Sequence, residues 1–238
     1  MPVNLDQVAA KSNLCAFLTC YFPFAFYSNY FIPFMVTFYP EVLSGIDKAL
    51  TLEIPDERKH VLQELIKYIQ QKLNKKEPVN LNFICTHNSR RSQFSQIWGK
   101  VAATYHDIPI SSFSGGVEVT AFNERAVASI RRSGFRVNQE GTENPTYSIY
   151  FAEDLEPIIA FSKVFDDPIN ASPKFAAVMT CSHADENCPF IPGTEARIPV
   201  RYEDPKAFDG TAEEAARYDE RSLQIASEMF YVFSQISK

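Results

Sequence analysis

The chain has no surplus of positive charge: 23 lysines and arginines stand against 29 aspartates and glutamates, a net charge of −6. Without a basic face it cannot neutralise a run of phosphates, which excludes nucleic acid as a partner. The neighbours Arg90 and Arg91 are a local exception suited to a small anion. Cysteine is also scarce and odd in number, with five residues at 15, 20, 85, 181 and 188. That argues against a secreted disulfide framework and for reduced thiols, and so predicts a cytoplasmic protein. Internal repeats and low-complexity linkers are missing too.

A further absence is local. Residues Ser12 to Pro40 carry no charge and are crowded with aromatics, as in Phe22-Pro-Phe-Ala-Phe-Tyr27. The stretch is long enough to cross a bilayer, but Pro23 and Pro33 interrupt it, and it lacks a basic leader and a small-residue cleavage site. Three readings stay open: a membrane-associated segment (residues 12–40), an apolar arm packed on the domain or a partner, and translated sequence upstream of a start at Met35. Residues 1–40 are therefore set apart, 41–78 are read as a helical arm, and 79–238 as the catalytic domain.

What is present is a cysteine and an arginine separated by five residues, Cys85-Thr-His-Asn-Ser-Arg-Arg91, between an apolar strand at 79–84 and an amphipathic helix. At such a junction the amides of Thr86, His87, Asn88, Ser89, Arg90, Arg91 and Ser92 wrap toward one point, where the helix start adds partial positive charge. The cup holds a tetrahedral oxyanion and favours the thiolate of Cys85. Arg91 offers a planar fork of donors to two oxygens, which lysine cannot copy. Ser92 can give its hydroxyl hydrogen to the sulfur.

Around the cup, helical spacing of Val61, Leu62, Leu65, Ile66, Ile69 and Leu73 predicts a helix over 55–75, and Phe94 to Ala102 predicts another that runs to about Tyr105. A strand over 108–114 closes at Gly115-Gly116, and a helix over 123–133 stops at Gly134. Short β-like runs between 135 and 163 suggest a hairpin beside the main sheet. Phe175-Ala-Ala-Val-Met-Thr180 reads as a buried strand delivering Cys181, 196–200 as the last strand, and 211–236 as a long terminal helix. Alternating strands and helices imply right-handed parallel crossovers, with ligands at the carboxyl edge. The expected fold class is α/β in three layers, with a central, mostly parallel four-stranded sheet.

Here the chain resembles the thioredoxin-coupled arsenate reductases and the low-molecular-weight protein tyrosine phosphatases that share their fold. The likeness runs from about Val79 to Ile236 and rests on Cys85, Asn88, Arg91 and Ser92 with the late Asp204-Pro205. It implies Cys85 as nucleophile, Arg91 as oxyanion ligand, Asn88 as loop brace and Asp204 as general acid; Asp166 and Asp167 before Pro168 are a rival pair that chain order disfavours. It implies no cofactor. The potassium ion of some reductases needs an acid on the helix after the cup, and Ser92 to Trp98 has none. His87 replaces a loop glycine, which matters if that position needs positive φ. Lys206 stands where the phosphatases usually have an aromatic.

Cys181-Ser-His-Ala-Asp-Glu-Asn-Cys188 resembles the reductases' pair of resolving cysteines. It is spaced too widely for an ordinary half zinc site with His183. Hydrolysis of a phosphocysteine needs one thiol, whereas reducing arsenate needs two electrons from further thiols. The expected activity is therefore arsenate reduction by a relay through Cys85, Cys181 and Cys188, with thioredoxin as reductant. Phosphomonoester hydrolysis by Cys85, Arg91 and Asp204, and a non-catalytic oxyanion or redox sensor, are the alternatives.

Overall fold

Leu81, Phe83 and Ile84 place apolar side chains on both sides of a pleat, and such a strand is stable only with both faces covered. In the computed structural model this segment is β1 (Asn80–Cys85), a central strand of the main sheet. The structure describes residues 36–170, 172, 174–187 and 190–238. Cys15, Cys20, Met35 and Cys188, with most of the aromatic segment, lie outside the described residues.

The elements in order are α1 (Pro40–Thr51), α2 (Asp56–Asn74), β1, α3 (Arg91–Tyr105), β2 (Ser111–Gly116), α4 (Glu124–Arg132), β3 (Arg136–Glu140), β4 (Thr146–Tyr150), β5 (Ile158–Ala160), β6 (Phe175–Met179), α5 (Ser182–Asn187), β7 (Thr194–Pro199) and α6 (Glu214–Ser234). The main sheet is parallel throughout, in the order β2-β1-β6-β7. The chain leaves β1 toward β2 on one side and later returns as β6 on the other. This makes the β1/β6 carboxyl edge a topological switch point, where open α/β sheets hold ligands. The fold is the expected α/β architecture, a parallel four-stranded central sheet flanked by helices.

Strand alternation divides the interior in two. Leu81 and Phe83 of β1, with Ala176 and Val178 of β6, face a large cluster filled by α1, α2, α3 and α6. Ile84, Ala177 and Met179 face a smaller one that also holds Cys85, at the strand end, with Cys181 and Ala184. The helix expected over 55–75 is α2, and its Leu62, Leu65 and Ile69 are fully buried. Each contributes about 1.5–3 kcal/mol by leaving water. The preceding helix α1, not anticipated, buries Val42, Ile46 and Ala49 at helical spacing behind a Pro40 start. Both pack on α6, so residues 41–78 supply part of the same core. Arg58 of α2 also pairs with the buried Glu228 of α6 at 2.6 Å.

Asn123 caps α4 by accepting from Arg125 N at 3.0 Å. Gly134 ends it at φ +96, and a Cβ there would lie 2.3 Å from the Glu41 carbonyl carbon of α1. The expected hairpin proves to be a three-stranded antiparallel sheet, β3-β4-β5. The second strand starts three residues later than expected and includes Gly115 and Gly116, because these pair with Ile84 and Cys85. Among the described residues no helix is long and apolar enough to cross a membrane.

Candidate active site

β1 ends at Cys85, buried at the switch point, and α3 begins at Arg91. Between them the chain turns through residues whose carbonyls are held outward by their surroundings. Thr86 O accepts from Val117 N at 2.8 Å and Glu118 N at 2.9 Å, and Ser89 O accepts from Asn123 N at 2.9 Å. His87 O accepts from Ser162 Oγ at 2.8 Å, and Asn88 O from Gln93 Nε2 at 2.9 Å. With the carbonyls fixed that way, the amides of His87 to Arg91 have no acceptor among the described residues. A loop lined with free amide donors in this way can hold an oxyanion.

Asn88 organises the loop. It is fully buried and is the one loop residue with positive φ, +46. His87 does not need that conformation: the left-handed residue is the asparagine after it, a side chain that tolerates αL. Asn88 Nδ2 donates to Ser92 Oγ at 2.8 Å, while its Oδ1 accepts from Lys163 N and Gln93 Nε2, both at 3.1 Å. Ser92 Oγ lies 3.1 Å from Cys85 Sγ. Since that oxygen already accepts from Asn88, its own hydrogen is free to point at the sulfur and stabilise a thiolate. Gly116 lets β2 approach the loop closely, for a Cβ there would sit 2.8 Å from Asn88 N.

Arg91 donates from Nη1 to Tyr202 O at 3.0 Å and from Nη2 to Asp204 Oδ2 at 2.8 Å. Its Nε is buried without a partner, a donor left for an oxyanion oxygen. Arg90 reaches the same Asp204 oxygen at 3.4 Å and Tyr218 Oη at 3.2 Å. Asp204 caps its own short turn by accepting from Lys206 N. The rival Asp167 caps the turn at Pro168–Asn170, where its carboxylate accepts from Ile169 N. His87 sits at the rim, half-exposed, with Nε2 3.3 Å from Glu118. A cleft of about 550 Å³ opens beside the loop, lined among others by His87, Arg90, Arg125, Tyr147 and Lys206.

Sequence reasoning missed Lys163, a buried lysine whose ammonium lies 4.7 Å from the Phe161 ring centre and 3.5 Å from its carbonyl. Burial pushes it down to about 8, against the pull of Asp167. Its only signal is position after a β-like run. Gln93 and Ser162, which hold loop carbonyls, gave none.

Cys181 follows β6 at the same edge. It is buried and free, as is Cys85. Its sulfur lies 3.5 Å from Thr86 Oγ1 and accepts from Ala184 N at 3.4 Å. The short α5 that follows is pinned by Asp185, whose two oxygens accept from Arg197 Nε and Arg201 Nε, each at 2.9 Å. Burial acts to raise that carboxyl, but hydrogen bonds from Arg201 and Arg197 outweigh it and hold the group below its ordinary value. No cluster of three or more His, Cys, Asp or Glu able to hold a metal ion occurs among the described residues.

Curated proteins of similar sequence carry the name arsenate reductase. One from Halalkalibacterium halodurans is 27% identical over 132 residues, covering 56% of this chain and 78% of the relative. One from Brevibacillus brevis is 29% identical over 123 residues, covering 52% and 74%. In sequence the chain is similar to these arsenate reductases, at under 30% identity. No family model matches it. Similar solved structures include an arsenate reductase in a phosphate-binding state, with 19% identity, TM-score 0.41 and coverage of 67% of this chain and 99% of that one. A low-molecular-weight phosphotyrosine phosphatase from Vibrio cholerae has 12% identity and TM-score 0.44, covering 66% and 94%.

Proposed function

We propose that this protein reduces arsenate to arsenite by thiol chemistry. Cys85 attacks arsenic in the cup while Arg91 and the loop amides hold the oxyanion charge, and the displaced oxygen leaves as water on taking a proton from Asp204. Cys181 then attacks the Cys85 sulfur. The sulfur–arsenic bonding pair stays on arsenic, which leaves as arsenite, and a Cys85–Cys181 disulfide remains. Cys188 attacks Cys181 and frees Cys85, and thioredoxin reduces the resulting Cys181–Cys188 bridge.

One observation carries this reading. A second free thiol, buried like the first, is delivered by the neighbouring strand and touches the cup through Thr86. Hydrolysis has no use for it. The arsenate reductase names of the relatives point the same way. The phosphatase reading is favoured by the contact between Asp204 and Arg91 but needs neither Cys181 nor Cys188. The test is NADPH oxidation with thioredoxin, its reductase and arsenate. Wild type should turn over and Cys188→Ser should stop after one equivalent. Arsenate-independent traces for both, with aryl phosphate hydrolysis intact in Cys181→Ser, would instead establish the phosphatase.

A further inference from the structure

Cys181 is buried behind the cup, and a buried thiol must lose its proton before it can attack. The structure offers one path for that proton. Thr86 Oγ1 stands between two groups, 3.5 Å from Cys181 Sγ and 3.2 Å from His183 Nδ1. Its hydroxyl can accept from the thiol and donate to the imidazole at once, which neither group can do for the other directly. His183 lies on the exposed side of α5, so a proton that arrives there reaches water.

We infer that His183 is the proton acceptor for Cys181, acting through the Thr86 hydroxyl. The inference rests on the arsenate reduction proposed above and assigns its second step. The Cys181 proton passes to Thr86 Oγ1 as the Thr86 proton passes to His183 Nδ1. The sulfur lone pair forms the bond to Cys85, the sulfur–arsenic bond breaks with its pair left on arsenic, and arsenic falls from the pentavalent to the trivalent state as two sulfurs are oxidised. The imidazolium returns its proton to solvent or to the departing arsenite. Ala184 N, 3.4 Å from the sulfur, steadies the anion meanwhile.

The titratable surroundings are few. β6 brings none and β1 brings Cys85. From its own helix come Asp185 and Glu186; Asp185 is paired with Arg197 and Arg201, and Glu186 lies 4.0 Å from Arg201. From the cup loop comes His87 and from the turn after β2 comes Glu118, which pair with each other at 3.3 Å, so His183 is the imidazole within hydrogen-bond reach of the Thr86 hydroxyl.

The experiment is a single turnover of the full-length protein with arsenate, following arsenite release and the Cys85–Cys181 bridge across pH 6 to 9. His183→Ala should slow both by about 10- to 100-fold near pH 7. The rate should recover as pH rises, because hydroxide can then ionise the thiol, and added imidazole should restore it at pH 7. Thr86→Val should match His183→Ala without imidazole rescue, and Thr86→Ser should keep most of the rate. His183→Gln controls for packing and should be slow as well. Rates for the His183 variants equal to wild type, or losses that neither imidazole nor alkali restores, would overturn the inference while leaving the reduction itself standing. Absence of arsenite with wild type would instead remove the reduction.

Discussion

The two thiols sit at one sheet edge yet are held in opposite ways. Around Cys85 every loop carbonyl from Thr86 to Arg90 has a fixed partner, and Asn88 alone is bound to Ser92, Lys163 and Gln93. Around Cys181 the chain turns into a six-residue helix held mainly by the ion pairs of Asp185. A site that must stabilise a developing charge gains from donors that do not move. In the proposed relay a disulfide passes from one sulfur to another, which needs a segment that can rearrange. Rigidity and release are divided between β1 and β6.

That division can be broken from either side. The largest effect is expected from Cys85→Ser, which should lower arsenate-dependent turnover by at least about a thousandfold, since the proposed reduction begins with attack by that sulfur. Steady-state NADPH oxidation checks it. Next is Asn88→Ala. Removing the brace should cost about 100-fold in kcat/KM through misplaced amides and about 1–3 kcal/mol in unfolding free energy, measured by denaturant titration.

Lys163→Met should act in the other direction on stability. The Lys163 ammonium falls to about 8 from 10.5 on folding, so between those values the unfolded chain binds more protons. Wild-type stability should therefore rise with pH across that window, and below it the native state bears the whole cost. The methionine variant should gain on the order of 1–3 kcal/mol at pH 7 and lose that alkaline rise, read from melting curves. The smallest effect belongs to Asp185→Asn. Its carboxyl is held low by Arg197 and Arg201, so its contribution is present above about pH 4 and fades as pH falls through the folded value. Because both arginines are partly exposed, the variant should lose only about 1–2 kcal/mol. It should also speed hydrogen exchange in 182–187 while leaving the cup amides protected.

Much of the cup was legible because its chemistry is local. Cys85, Arg91 and Ser92 lie within one loop and turn, and an apolar strand before an amphipathic helix already implies their geometry. Cys181 was legible because Phe175 to Met179 reads as a buried strand in any context. Gln93, Ser162 and Lys163 were not, since their roles depend on carbonyls and amides brought together by the second sheet and the β2 end. The loop glycine that His87 replaces left open where a positive φ would fall; the actual turn places it at Asn88, where the side chain repays the strain with its hydrogen bonds. The three-stranded sheet of 136–160 looked like a hairpin because β5 has only three residues, too short for an alternation to register.

The hand-over between thiols is tested most directly by mapping disulfides in Cys188→Ser after one equivalent of arsenate. The expected result is one equivalent of arsenite and a peptide pair joined through Cys85 and Cys181. Arsenate consumed with both cysteines still alkylatable, or Cys85 joined to Cys15 or Cys20 instead, would contradict it.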